Sequence, residues 1–169
     1  AVAKSFVERG FVVFAVARNK EKLNSLKMEC ANIDGYSNMI TVPLDLNQID
    51  AGKKLVKIVQ DNCSHLDVLI NNAGVLSNKP FEELSEEDMK SMFTINVYAP
   101  IRLVKALLPI MGGKELSHIV NIGSMAGYQG SDKFPGLTLY SSTKGAIASF
   151  TECLAKEYKD RNIKANCLA

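Results

Sequence analysis

Residues 118–124 read HIVNIGS, an apolar run of strand length that ends in a glycine and a serine. A run that is apolar almost throughout is typical of a strand covered on both faces. Similar short runs lie at 12–17, 39–44, 67–72 and 163–169, and longer amphipathic stretches separate them. This alternation predicts an α/β fold in which crossover helices connect the strands of a mostly parallel sheet.

The amphipathic stretches predict the helices. They lie at about 20–31, 49–63, 85–108 and 139–160. Ser85 is a candidate N-cap because acidic residues follow it in the first turn. The opening AVAKSFVERG has the pattern of the second half of a helix that ends at Gly10.

Composition limits the class of protein. The 169 residues are 47% hydrophobic, which suits a single globular domain over 1–169. A formal charge of +2 is too balanced for a nucleic-acid surface or an anionic membrane target, so a small-molecule partner is favoured. No apolar run approaches the roughly 18 residues of a membrane span. Four cysteines without CxxC spacing favour free thiols in a reducing, cytoplasmic compartment.

Both ends of the sequence are expected to be cut. In a doubly wound sheet the first strand is central, and the turn after it holds phosphates at a helix N-terminus. The sequence begins just after the position expected for that strand and turn, and it stops within the strand predicted at 163–169. We therefore expect the parent protein to carry the function and the chain alone to bind a dinucleotide poorly.

The stretch YSSTK, residues 140–144, places Tyr140 and Lys144 four positions apart. Residues i and i+4 share one helix face, so the ammonium group can lie near the phenol. A nearby positive charge favours the phenolate and suits the tyrosine to general acid/base chemistry. On its own the pentapeptide favours an ordinary polar helix face.

Three further stretches strengthen the functional interpretation. Ser124 follows a strand at the edge where ligands bind in open α/β sheets, although such a serine often only caps a turn. The stretch LINNAGV, 69–75, ends a strand with amide side chains and an approachable glycine backbone, or is simply a turn. Asn96 is a poor residue for a helix interior, which indicates either a role or a satisfied buried amide.

Together, NNAG, the helix asparagine, the strand-end serine, YxxxK and RNIKANCLA, in this order, resemble the short-chain dehydrogenase/reductase family over nearly the whole chain. The resemblance implies a three-layer, Rossmann-like, doubly wound parallel sheet. It also implies hydride transfer between a nicotinamide and a carbonyl or alcohol carbon, in a homodimer or homotetramer.

The resemblance implies a role for each matching residue. Tyr140 is the acid/base, and Lys144 favours its phenolate and anchors a ribose. Ser124 orients the substrate, and Asn96 supports a water-linked proton relay. The cofactor cleft is lined by Asn72, Ala73, Gly74 and Asp45, with Asp45 at the adenine.

Cofactor choice is predicted from the end of the strand at 12–17. An acidic residue at that position selects NAD(H), whereas an arginine accommodates the 2′-phosphate of NADP(H). Arg18 stands there with no acid before Glu21, so NADP(H) is favoured and NAD(H) stays possible. Arg18 could instead be an ordinary solvated arginine.

Several alternatives stay open. The chain could be a nucleotide-sensing protein without catalysis, or a non-functional fragment. The substrate could be a β-ketoacyl thioester, a sugar-derived ketone, a steroid-like ketone or a small aldehyde. The interval from Ser124 to Tyr140 is longer than the family commonly shows. No metal site is predicted, because Cys63 and His65 stand isolated and His118 fits a structural role.

Overall fold

The computed structural model describes residues 1–31 and 38–169, which form two compact units, Ala1–Ala51 and Gly52–Ala169. All strand pairings are parallel, as the sequence predicted. The described strands form two sheets, of two and three strands, where the sequence predicted one. The prediction of a single domain stays a prediction.

The first unit has the order helix, strand, helix, strand. These elements are α1 (Val2–Glu8), β1 (Val13–Ala17), α2 (Lys20–Ala31) and β2 (Met39–Pro43). Strand β1 pairs with β2 from Val13 opposite Met39 to Ala17 opposite Pro43. Its core is built on Val7, Cys30 and Met39, which are all buried. The two strands therefore end at the same edge of this small sheet.

Helix α1 ends at a glycine turn, as predicted. Gly10 has φ of +83°, and its N–H donates to the Val7 carbonyl oxygen at 2.9 Å. The Phe11 N–H donates to the Phe6 carbonyl oxygen at 3.1 Å, and the two phenyl rings pack edge to face at 5.2 Å. This pair of bonds with an apolar contact across it is the Schellman motif, which satisfies the last carbonyls of a helix.

The second unit contains the remaining elements. They are α3 (Ala51–Gln60), which begins one residue before the unit, β3 (Val68–Asn71), α4 (Glu86–Phe93), α5 (Ala99–Leu107), β4 (Ser117–Ile122), α6 (Thr138–Glu157) and β5 (Ile163–Leu168). The sheet order is β3-β4-β5. Asn71 lies opposite Asn121, and Ile122 lies opposite Leu168. The carboxyl ends of all three strands therefore meet at one edge.

The stretch predicted as one helix over 85–108 is three segments. Helix α4 is followed by a π-helical segment, Thr94–Tyr98, and then by α5. The predicted N-cap is confirmed, because the Ser85 hydroxyl accepts from the Asp88 N–H and the Asp88 carboxylate accepts from the Ser85 N–H. The π segment and α4 both contact α6, so these helices pack on one another.

One helical stretch in the described part of the chain, Glu86–Ile110, is long and apolar enough to cross a membrane by length and composition. Its mean hydropathy is 1.3, and 44% of that window is buried inside the protein. Because a core helix of a soluble protein passes the same test, a single stretch of this kind is weak evidence for a membrane span.

A chain of buried polar side chains links the sheet to α6. The Asn71 amide donates to the Asn121 side-chain oxygen, and the Asn121 amide donates to the Thr151 hydroxyl, both at 2.8 Å. Thr151 in turn donates to the Ile147 carbonyl oxygen at 2.6 Å. Each buried polar group is paired, which offsets the cost of removing it from water.

Two helices end earlier than predicted, and an asparagine side chain is bonded in the chain that follows each of them. The Asn62 amide donates to the Ile58 carbonyl oxygen at 2.8 Å and closes the last turn of α3. After α6, Asn162 adopts a left-handed conformation, with φ of 55°, and its amide donates to the Gly113 carbonyl oxygen at 2.7 Å. The Asn162 bond joins two segments that are 49 positions apart in sequence.

Adjacent glycines before β4 give a matched test of this packing. Gly112 and Gly113 both have positive φ, +71° and +81°, but a Cβ on Gly112 would lie 2.3 Å from the Arg161 carbonyl oxygen. A Cβ on Gly113 would meet nothing within 4 Å. Gly113→Ala should therefore cost about 1 kcal/mol of conformational strain, and Gly112→Ala about 2 kcal/mol more for the steric clash.

Urea unfolding followed by far-ultraviolet circular dichroism measures both variants, since the chain has no tryptophan. Equal losses of stability in the two variants would show that the turn relaxes around the added methyl group.

Candidate active site

The residues proposed from sequence in the second unit gather at the carboxyl edge of its sheet. Asn72, Ala73 and Gly74 follow β3, and Ser124 follows β4. Tyr140 and Lys144 lie in the first turns of α6, which packs against β4 and β5. Side chains that follow parallel strands share the edge where ligands bind in α/β sheets.

Lys144 is the buried cation of this edge, with only 6% of its surface exposed. Its Nζ donates to the Ile122 carbonyl oxygen at 2.6 Å and lies 5.7 Å from the centroid of the Tyr140 ring. Burial lowers the pKa of the Lys144 ammonium, and the nearby Cys167 thiol opposes this with a smaller upward effect. The predicted pairing of tyrosine and lysine on one helix face is therefore present.

Asn96 is a buried amide whose side chain is fully used. Its Oδ1 accepts from the Val75 N–H, and its Nδ2 donates to the Val75 carbonyl oxygen, both at 2.9 Å. Nδ2 also donates to the Thr143 hydroxyl at 3.1 Å. Asn96 therefore fixes the chain after β3 and joins it to α6 beside Tyr140, because Thr143 donates to the Tyr140 carbonyl oxygen at 2.7 Å.

The backbone carbonyl of Asn96 lies in the π segment. The residue four positions later is Pro100, which has no N–H to donate to it, so the usual α-helical bond to this carbonyl is impossible. Single π turns within α-helices are frequent at functional sites.

Gly74 sits against the Asn96 side chain and the Lys144 ammonium. A Cβ there would lie 3.5 Å from the Asn96 Oδ1 and 3.9 Å from the Lys144 Nζ. Asn72 and Ala73 are exposed beside it. A backbone without a side chain next to a buried ammonium fits the close approach of a ribose hydroxyl, so these residues fit a nicotinamide dinucleotide.

Ser124 begins a tight turn that is locked to α6. Its Oγ accepts from the Ala126 N–H at 3.2 Å, which leaves the hydroxyl proton for a ligand. Gly127 lies so close to α6 that a Cβ would be 2.5 Å from the Lys144 carbonyl carbon and 2.7 Å from the Gly145 nitrogen. Two glycines thus set the distance between the serine turn and the lysine.

Cys167, in β5, lies beside Gly123, the residue that precedes Ser124. A Cβ on Gly123 would lie 2.7 Å from its Sγ. Cys167, together with burial, raises the pKa of the Tyr128 hydroxyl. All four cysteines of the chain are free.

Sequence reasoning missed Gly127, Gly145 and Thr143. It treated the amides of LINNAGV, Asn71 and Asn72, as groups suited to a polar ligand, with a simple turn as the alternative. The Asn71 amide is instead bonded to Asn121 within the sheet. The small residues in SMAG and TKG were the only sequence signal of close approach between the turn and the helix.

Arg18 and Asp45 lie in the first unit, at the carboxyl ends of its two paired strands. Arg18 is exposed and follows β1 directly. The next residue, Asn19, caps α2, because its side chain accepts from the Lys22 N–H at 2.8 Å. Asp45 accepts from the Asn47 N–H at 3.0 Å, which holds its carboxylate in a turn after β2. The two residues share the edge that the prediction requires.

His65 is not isolated, contrary to the prediction. The ligand atoms of His65, Asp67 and Glu115 all lie within 4.8 Å of one another. His65 also shares a hydrogen bond of 3.1 Å with the Ser117 hydroxyl. Since that hydroxyl donates to the Leu66 carbonyl oxygen, its contact with the ring requires a proton on His65 Nε2. The absence of a metal site stays a prediction.

The family model described as short chain dehydrogenase matches residues 1–169. An uncharacterized oxidoreductase of Staphylococcus aureus strain MW2 is 30% identical over the whole chain, which spans 70% of that protein. A 3-oxoacyl-[acyl-carrier-protein] reductase of Thermotoga maritima is 30% identical over 164 residues, covering 97% of the chain and 65% of the reductase.

Among solved structures, a short chain dehydrogenase of Escherichia coli CFT073 complexed with NADPH aligns with a TM-score of 0.88 and 27% identity, over 98% of this chain and 68% of that one. This chain belongs to the short-chain dehydrogenase family. The relatives named above are oxidoreductases, and the similarity to the solved structure shows the Rossmann-like α/β fold. The chain spans 58% of the length of one solved structure and 72% of another.

The buried ammonium predicts a pH dependence of stability. Because burial lowers the pKa of Lys144 below its ordinary 10.5, the folded protein binds fewer protons at this site than the unfolded chain does. The free energy of unfolding therefore gains a contribution as the pH rises toward 10.5, and it loses this contribution at lower pH. Lys144→Met should remove this contribution.

Urea titrations of wild type and Lys144→Met between about pH 7 and pH 10 test this linkage. The wild type should gain stability relative to the variant as the pH increases. Lys156→Met, which removes an exposed lysine of the same helix, is the matched control. A difference that stays constant with pH would contradict the effect of burial.

Proposed function

We propose that this protein is an NADP(H)-dependent oxidoreductase that interconverts a carbonyl group and an alcohol, with Tyr140 as the acid/base. The observation that carries the proposal is the pair formed by Tyr140 and the buried Lys144 ammonium at the carboxyl edge of the sheet. The family and its oxidoreductase members support the same chemistry.

A bound nicotinamide would supply or accept the hydride, which is chemistry that no side chain offers. Lys144 has three N–H donors, and Ile122 takes one of them, so the others are available for a ribose hydroxyl and a water molecule. Asn72, Ala73 and Gly74 would line the adenosine side of the cleft.

The residues of the chain handle the substrate oxygen and one proton. In the reducing direction, Ser124 donates its hydroxyl proton as a hydrogen bond to the carbonyl oxygen, and Tyr140 transfers its phenolic proton to that oxygen. The Lys144 ammonium stabilises the phenolate that remains. Since the Asn96 side chain is already paired, Asn96 would serve a relay water through its backbone carbonyl.

The acid/base role predicts the effect of removing one oxygen atom. Tyr140→Phe in the full chain should lower kcat about 10²- to 10⁴-fold for every accepted carbonyl, while the Kd for NADPH changes little. Tyr158→Phe, at the other end of α6, is the matched control and should keep the wild-type rate. Carbonyl-dependent NADPH oxidation and nicotinamide fluorescence measure the two quantities. A Tyr140→Phe variant with most of its rate would contradict the mechanism.

The preference for NADP(H) rests on Arg18. An exposed guanidinium at the end of β1 can hold a 2′-phosphate through charge-assisted hydrogen bonds. The E. coli relative is complexed with NADPH, which supports this choice.

Arg18→Ala should raise the Kd for NADPH roughly 10- to 100-fold and leave the Kd for NADH nearly unchanged. Arg9→Ala removes an exposed arginine before the amino end of the same strand and serves as the control. Fluorescence titration with each cofactor measures the four constants. A variant that weakens NADH and NADPH equally would show that Arg18 does not select the phosphate.

The mouth of the site favours a substrate with an apolar portion. Leu76, Met125 and Phe134 are 56%, 64% and 65% exposed on the loops at 74–80 and 125–138. A bond from the Lys79 N–H to the Gly136 carbonyl oxygen, 3.2 Å, joins these loops. The Thermotoga relative is a 3-oxoacyl-[acyl-carrier-protein] reductase, so 3-oxoacyl thioesters lead the panel of ketones to assay.

We also propose a homodimer or homotetramer in the cytoplasm. The Arg102 Nη1 is buried without a hydrogen-bond partner among the described residues, and its guanidinium stacks on the half-exposed Tyr98 ring at 5.9 Å. The half-exposed Tyr98 ring is an aromatic surface that a second copy packed beside α5 would cover.

A further inference from the structure

The segment between β4 and α6 is bound together by one ammonium group. Lys133 Nζ donates to the Ala126 carbonyl oxygen and to the Ser131 hydroxyl, both at 2.8 Å, and to the Tyr128 carbonyl oxygen. An ammonium has three N–H donors, so these bonds use all of them. Lys133 therefore cross-links the turn formed by residues 124–131 through three hydrogen bonds.

The other hydrogen bonds of this turn are made by neutral donors. The Ser131 hydroxyl lies 2.7 Å from the Met125 carbonyl oxygen and 2.8 Å from the Tyr128 carbonyl oxygen. The Gly127 N–H donates to the Ser124 carbonyl oxygen at 2.9 Å, and the Tyr128 N–H donates to the Met125 carbonyl oxygen at 3.1 Å. The Met125–Gly127 helix is a single 3₁₀ turn, and short 3₁₀ turns have poor hydrogen-bond geometry. Bonds from a charged donor are stronger than these neutral ones, so Lys133 supplies much of the order of the turn.

Two features connect the hydrogen bonds of Lys133 to the candidate active site. Ala126 is bonded at both ends, because its N–H donates to the Ser124 Oγ and its carbonyl accepts from Lys133. The turn also forms one wall of a cavity of about 440 Å³ that is open at the surface, and two residues bonded to Lys133, Tyr128 and Ser131, contribute to that wall. The lining residues are Met125, Tyr128, Gln129, Gly130, Ser131 and Ala169.

We propose that Lys133 is a positioning residue that holds Ser124 and the wall of the adjoining cavity in place for the substrate, through the hydrogen bonds of its ammonium group to Ala126, Tyr128 and Ser131. Its effect on catalysis rests on the proposed function, since it acts through Ser124. Lys133 itself is exposed, and all three of its N–H donors are bonded to the protein, so it does not bind the substrate.

Lys133→Met keeps the length of the side chain and removes the three donors. The amide hydrogens of Gly127 and Tyr128 should then exchange with solvent at least about tenfold faster, while those of β4 keep their protection. Lys114→Met removes another exposed lysine, before the amino end of β4 and thus at the opposite edge, and should leave both sets unchanged. Unchanged exchange at Gly127 and Tyr128 in Lys133→Met would overturn the proposal.

The exchange measurement needs no turnover, so it decides the positioning role even if the protein reduces no carbonyl and the proposed function fails. With an accepted carbonyl, Lys133→Met should lower kcat/KM about tenfold or more, with the Kd for NADPH unchanged. Lys133→Arg, which offers several donors, should recover most of the loss.

A double-mutant cycle separates positioning from general damage to the fold. In a Ser124→Ala background, Lys133→Met should change kcat/KM by less than about twofold, because the group it positions is gone. An equal loss in both backgrounds, or an equal rise in the Kd for NADPH, would overturn the role through Ser124.

Discussion

The site depends on the burial of one positive charge. An ammonium removed from water is costly unless it is paired, and Lys144 is paired with a main-chain carbonyl at the end of the central strand of the second unit. That bond fixes the start of α6 against β4, and it therefore also fixes Tyr140, four residues earlier. The alternation of strands and helices builds the edge, and the lysine determines where on that edge the chemistry is located.

Glycine residues contribute to the packing around the Lys144 ammonium as much as larger side chains do. Gly127 lies so close to the backbone of Lys144 and Gly145 that any Cβ there would clash, and a Cβ on Gly145 would lie a tight 3.2 Å from the Gly127 carbonyl oxygen. Gly74 leaves the space next to the Lys144 ammonium free of a side chain. Asn96 then holds the loop after β3 in place by bonding both polar groups of Val75. The result is a rigid frame of main-chain atoms around the lysine, which is the preorganisation that an electrostatic site needs.

The sequence predicted the elements well because their signals are local. Apolar runs located the five strands of the described residues to within one or two residues. Ser85 and Gly10 marked helix ends through bonds that reach only a few residues along the chain. The π-helical segment Thr94–Tyr98 and the three hydrogen bonds of Lys133 were not predicted. The first coincides with Pro100, which has no N–H for the Asn96 carbonyl, and with side-chain bonds from Asn96 to Val75 and Thr143, 21 and 47 positions away. The second depends on three acceptors selected by the shape of a loop. Periodicity carries no information about either of them.

The π segment changes how the sequence of this helix should be compared with others. A π turn accommodates one extra residue, so the helix faces before and after it are out of phase by about 100° on a helical wheel drawn as if the whole were α-helical. Residues of α4 and α5 that share a position on such a wheel therefore point in different directions in space. A relative with one residue fewer between Phe93 and Ala99 could keep both helices in place and still lack the turn, so the length of this stretch carries more information than the identity of its residues.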